Sequence, residues 1–182
     1  MIGSEGSAAV TGVRIGVDVG QVRVGVAASD PHLILATPVA TLPRDTGADA
    51  DIATIVSETL ARDAVGVYVG LPRTLAGEEG SSARMARDYA QRLADRLAGQ
   101  REPHATPVEV WLIDERLSTV VAHRSLHAAG LPMKKHRSRV DQVAATGILQ
   151  QALDGLRAGR RPGEPVHPTT PAETPPDDGD RS

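Results

Sequence analysis

The sequence predicts an α/β domain built on a mixed sheet, antiparallel on one side and parallel on the other. Two apolar runs, residues 13–19 and 24–29, stand either side of Gly20 and read as a hairpin. After them helical and strand patterns alternate, the signature of crossover units and parallel pairing. At 182 residues the chain is long enough for one domain with a substantial core and short for two. It contains no internal repeat.

A third extended segment follows the hairpin over residues 34–42, where Pro38 marks an edge strand or an irregularity. Ile52, Ile55, Val56 and Leu60 recur at helical spacing and predict a helix over 49–62. Residues 65–69 form a short buried strand that runs into the loop Gly70-Leu71-Pro72. The loop continues through Gly77 and Gly80, and Ser81 or Ser82 is placed to cap a helix to about residue 97. Residues 108–113 make another buried strand, with Asp114-Glu115-Arg116 at its carboxyl end. Ser118 can cap a helix that stops at Gly130. A basic loop over 132–138 then leads into a last helix over 139–158. Residues 1–12 and 159–182 carry too little apolar surface to pack, so both are expected to be disordered and the later one dispensable. The folded domain is expected over 13–158.

Composition excludes several classes of function. With no cysteine there is no disulfide, thiolate metal site or thiol nucleophile. No apolar run reaches the roughly 18 residues of a spanning helix, so no membrane is expected among the partners. The N-terminus lacks the basic region and apolar stretch of a signal peptide, and a cytoplasmic location is expected. Net charge is −3, so no overall basic field advertises nucleic acid. The distribution says more. Arg116, Arg124, Lys134, Lys135, Arg137 and Arg139 fall in one stretch without a single acid, and the two lysines are the only ones in the chain. Such a run is either a solvated surface or a phosphate-holding patch. Phe is absent and only Trp111, Tyr68 and Tyr89 are aromatic, which argues against base stacking as the main binding mode.

Three acids stand out. Asp18 lies in an apolar strand, where Asp is disfavoured and an uncompensated charge is costly. A cation would compensate it; so would backbone hydrogen bonds at the Gly20 turn. Asp141 shares a helix face with Ala144, Ala145 and Ile148, at the edge of a buried surface, although acids in a first turn are also favoured by the helix dipole. Asp114 or Glu115 comes from a strand end, where ligands of parallel sheets gather. Carboxylates from separate elements are what one or two Mg²⁺ or Mn²⁺ ions take as ligands. Such ions support phosphodiester hydrolysis, and the basic run lies between the second and third acids. Competing motifs are weak: there is no P-loop and no G-x-S-x-G elbow. His123 and His127 lack the acid that a zinc protease helix needs between them.

Four segments taken in order carry a resemblance. They are Gly16-Val17-Asp18-Val19-Gly20 with Arg23-Val24-Gly25-Val26-Ala27, Val69-Gly70-Leu71-Pro72, Asp114-Glu115-Arg116-Leu117-Ser118-Thr119 and Val140-Asp141-Gln142-Val143-Ala144-Ala145. Together they resemble the YqgF/RuvX family of RNase H-like nucleases, over about residues 13–157. Members are described as pre-16S rRNA processing nucleases or Holliday junction resolvases. The resemblance implies an RNase H-like fold, a five-stranded mixed sheet with an antiparallel second strand, flanked by helices. It implies Asp18, Glu115 and Asp141 as the catalytic, metal-holding acids and selects Glu115 over Asp114; adjacent strand residues point to opposite faces, so one of that pair faces the site. It implies a substrate contact for Arg116. Arg23, Arg73, Lys134, Lys135, Arg137 and Arg139 complete the candidate substrate-binding set. Arg73 and Ser118 depart from the family's usual residues, and neither change touches the acids.

The implied activity is a metal-dependent endonuclease, using Mg²⁺ or Mn²⁺, that processes the 5′ end of pre-16S rRNA. The alternative is a resolvase of four-way DNA junctions, which works most naturally as a symmetric dimer. The acids serve either substrate, structured RNA or branched DNA, and the chain acts as a monomer or a homodimer. An ATP-binding protein of the actin and sugar-kinase type needs a second domain that this length does not hold. A non-catalytic nucleic-acid-binding module has no use for three acids beside a basic run, because acids repel phosphate without a cation between them.

Overall fold

The structure, a computed structural model, describes residues 11–74, 76–100, 106–115 and 137–169, with backbone alone at 137–139. β1 (Arg14–Val19) and β2 (Arg23–Ser29) form the antiparallel hairpin that the apolar runs predict. The Gly20 N–H donates to the Arg23 carbonyl at 2.8 Å and closes the turn. β3 (Ala36–Pro43) pairs antiparallel with β2, and its register shifts between Val26 and Ala27, where Ala27 faces Pro38. A proline donates no ladder hydrogen bond, so its place is an edge strand at a bulge.

α1 (Ala50–Ala61) follows, then β4 (Gly66–Leu71), α2 (Ser81–Ala98), β5 (Glu109–Asp114), α3 (Arg137–Arg157) and β6 (Glu164–Val166). The sheet order is β3-β2-β1-β4-β5-β6, with β1, β4 and β5 parallel. The expected order of elements holds through β5, with shifts of one or two residues. Neither Ser81 nor Ser82 caps α2: both lie inside the helix, and Gly80 holds the cap position without a side-chain bond. The last helix already includes Arg137 and Ser138, which were expected in the loop. The helix expected over 118–130 lies outside the described residues.

Strand alternation divides the core. Ile15, Val17, Val24, Val26, Val67, Val69, Val110 and Leu112 pack on one face against α1 and α2. The other face, with Ala27, Tyr68, Trp111 and Ile113, receives Ala145, Ile148, Leu149, Ala152 and Leu153 of α3. On the first face a buried ion pair ties the β3–α1 connection to α2. Arg44 Nη1 lies 2.9 Å from Asp51 Oδ2, with side chains 4% and 0% exposed. The Tyr89 hydroxyl donates to the same oxygen at 3.2 Å, and the Arg44 guanidinium stacks 4.6 Å from the Tyr89 ring centre.

The sheet has six strands where five were expected. The sixth, β6, comes from the segment expected to be disordered, and it pairs antiparallel with β5. Arg87 of α2 fastens it, with Nη1 2.7 Å and Nη2 2.9 Å from the two carboxylate oxygens of Glu164. Farther on, the Thr169 N–H donates to Asp95 and Gln91 donates to the His167 carbonyl. Residues 160–169 are therefore a strap along β5 and α2, and the dispensable tail is corrected to exclude them. Residues 170–182 and 1–10 lie outside the described residues.

A chain ending at Gly159 should melt roughly 4–8 °C lower, the shift that loss of about 2 kcal/mol causes at this size. Thermal unfolding of the truncated and full chains measures it, and equal midpoints would show that β6 adds nothing. Part of the effect is electrostatic. Hydrogen bonds from Arg87 hold the carboxyls of Glu79 and Glu164 below their ordinary value of 4.5. That contribution is complete above the ordinary value and fades as pH falls through the depressed ones.

Candidate active site

Asp18 occupies the fifth position of β1, 6% exposed. It lies on the same face as Gly16, two residues earlier, and that face meets α3. A Cβ on Gly16 would stand 2.6 Å from Leu149 Cβ, so the helix rests directly on the strand. The antiparallel partner of Asp18 is Gly25. The backbone carbonyl of Asp141 sits against Gly25, in the space a side chain there would fill. Only glycine permits that approach, and it brings the first turns of α3 down to the level of Asp18.

The other flank is built the same way. Val69 pairs with Val17, so Gly70, the next residue of β4, lies alongside Asp18. A Cβ on Gly70 would stand 2.5 Å from Glu115 Oε1 and 2.5 Å from Ile148 Cδ1. The Glu115 carboxylate thus lies over Gly70. Across the sheet the order is Gly25 beneath Asp141, then Asp18, then Gly70 beneath Glu115, with roughly 5 Å between neighbouring strands. Both glycines stand within the sequence motifs, but only the fold shows that Gly25 seats the Asp141 backbone and Gly70 the Glu115 carboxylate. A glycine inside a strand pattern signals such close approach.

Asp114 goes the other way. Its carboxylate lies on the α1/α2 side, 4.0 Å from Arg73 Nη1. Arg73 was expected among the substrate-binding residues, but its guanidinium lies in an ion-pair network, 3.0 Å from Glu79 and 3.9 Å from Glu164. Arg23 alternates onto the α3 face with Gly25, at the Asp18 end of the hairpin. Arg116, Lys134 and Lys135 lie outside the described residues, as do His123 and His127. Arg137 and Arg139 lie in α3, and their side chains are outside what the structure describes.

The candidate donors, Asp18, Glu115 and Asp141, are all carboxylates, the oxygen ligands that hard divalent cations take. Among the described residues no three His, Asp or Glu side chains are gathered closely enough to hold an ion as they stand. Asp18 and the Glu115 carboxylate lie on the face that α3 covers, and the backbone of Asp141 meets that face at Gly25. No described helix is long and apolar enough to cross a membrane.

A family model described as RuvX, Holliday junction resolvase, matches residues 12–155. A protein of Kineococcus radiotolerans named "Putative pre-16S rRNA nuclease" is 52% identical over 155 residues, covering 85% of this chain and 78% of its own length. One of Frankia casuarinae with the same name is 52% identical over 151 residues, 83% of this chain and 71% of that one. Among solved structures, T. thermophilus RuvC in complex with a Holliday junction substrate gives a TM-score of 0.49 at 16% identity, over 85% of this chain and 99% of that one. On the family match and the two relatives, the chain belongs to the RuvX family of nucleases.

Proposed function

We propose that this nuclease is a cytoplasmic endonuclease that holds Mg²⁺ or Mn²⁺ with Asp18, Glu115 and Asp141 and cuts structured RNA at the 5′ end of pre-16S rRNA. The observation that carries the reading is buried Asp18 on the face that α3 covers, with the Glu115 carboxylate over Gly70 on one side and the Asp141 backbone against Gly25 on the other. One or two such ions, when bound, activate a water and stabilise the leaving oxygen of a phosphodiester. The chain's own part is to bring the three acids to one face of the sheet and to keep α3 pressed onto it. Arg23 stands where it can meet a phosphate beside Asp18. The names of the relatives favour pre-16S rRNA as substrate; the family description favours a DNA junction.

A side-by-side cleavage assay with Mg²⁺ or Mn²⁺ decides between them, using a pre-16S rRNA 5′ end and a four-way DNA junction. Faster cleavage of the RNA supports the proposal, and faster cleavage of the junction replaces it by the resolvase reading. The basic run is assigned to positioning substrate. Replacing Lys134 and Lys135 by Ala should weaken RNA binding and reduce the slope of log affinity against log salt by about 1–2, with turnover at saturating RNA largely kept. Binding isotherms at several salt concentrations test this, and an unchanged slope would mark the run as a solvated surface.

A further inference from the structure

We propose that Arg73 and Gln151 are positioning residues for Glu115, acting on Asp114 from opposite faces of the sheet. The proposal rests on the metal-holding role of Glu115 given above. The β4–β5 ladder ends at the pair Leu71 and Asp114, so sheet pairing does not set the peptide that follows. Gln151 and Arg73 both reach Asp114. From the α3 face, Gln151 Nε2 donates to the Asp114 carbonyl at 3.3 Å. From the α1/α2 face, Arg73 Nη1 stands 4.0 Å from Asp114 Oδ2, a charge contact rather than a hydrogen bond.

Each contact is itself anchored. Arg73 is held by Glu79 at 3.0 Å, Glu79 by Arg87 at 2.6 Å, and Arg87 also grips Glu164 of β6. Gln151 sits on the helix that carries Asp141, so one element sets two of the three acids. Its Oε1 is buried without a hydrogen-bond partner among the described residues. A residue present only for packing need not carry that cost. The Asp114 carbonyl belongs to the peptide unit that begins Glu115, so holding it fixes where the Glu115 side chain starts. Any side chain at position 70 would collide with Glu115 Oε1, so the carboxylate keeps its place only over a glycine.

The test is Mn²⁺ binding by titration calorimetry on the full chain, with nucleic-acid affinity measured without divalent cation and thermal midpoints taken alongside. Arg73→Ala and Gln151→Ala should each weaken Mn²⁺ binding about 10-fold, the usual cost of losing a partner behind a ligand. Nucleic-acid affinity should stay within about twofold, and Arg73→Lys should recover part of the loss. Because Arg73 acts through Asp114, adding Asp114→Asn to Arg73→Ala should cost no further affinity. Gln151→Leu keeps the volume and drops the donor, and repeats the test should the Ala variant not fold. Unchanged Mn²⁺ affinity in the folded variants overturns the inference. Weakened nucleic-acid binding with unchanged Mn²⁺ affinity overturns it as well and returns Arg73 to the substrate. A wild-type chain that takes up no Mn²⁺ overturns the metal reading itself, a result distinct from variants that bind as well as wild type.

Discussion

The Asp18→Asn protein should fold normally and lose metal-dependent cleavage by about a thousandfold or more, the scale expected when a cation loses its central anionic ligand. Asn keeps the shape of the side chain and a carbonyl oxygen, and it removes only the charge. The site makes that charge hard to replace, since Asp18 is buried at 6% exposure between strands whose facing positions are glycines. No neighbouring side chain on β2 or β4 can reach in as a substitute. Stability should be largely kept, because Asn fills the same space as Asp and retains a carbonyl oxygen. Melting curves establish that the variant is folded, and single-turnover rates across an Mn²⁺ series give the loss. A folded variant that cuts at the wild-type rate would sink the three-acid mechanism.

Much of the fold was legible because apolar periodicity records it directly. The Val-rich runs of β1 and β2 and the helical spacing of Ile52, Ile55 and Val56 are local signals of which face is buried. β6 has no such signal. Glu164-Pro165-Val166 offers one apolar residue and a proline, and it is a strand because the edge of β5 is beside it and Arg87 grips Glu164. Its cause lies in residues far away in the chain. Asp51 is similar: it reads as an acid in a first helical turn and proves to be fully buried against Arg44 and Tyr89. The acids of the candidate site could be picked out because a charge in an apolar setting is itself anomalous. The glycines that seat Asp141 and Glu115 were in plain view but mute, since a missing side chain says that something comes close without saying what.

Glu115→Gln should cut activity by about a thousandfold or more, while Asp114→Asn should cut it by only about tenfold, on the scales for losing a ligand and a partner behind one. The two residues are adjacent and both acidic, so composition and charge do not separate them. Geometry does. The Glu115 carboxylate lies over Gly70 on the face that α3 covers, beside Asp18. The Asp114 carboxylate lies on the opposite side within reach of Arg73, where it belongs to the network that includes Glu79 and Glu164. Neutralising Asp114 therefore loosens the strand end and moves Glu115, which lowers activity through metal affinity and is partly offset by raising the Mn²⁺ concentration. Neutralising Glu115 removes the ligand charge itself, and added Mn²⁺ should not restore it. Rates for both variants across the same Mn²⁺ series test this, and a larger, metal-insensitive loss in Asp114→Asn would make Asp114 the acid that faces the ion.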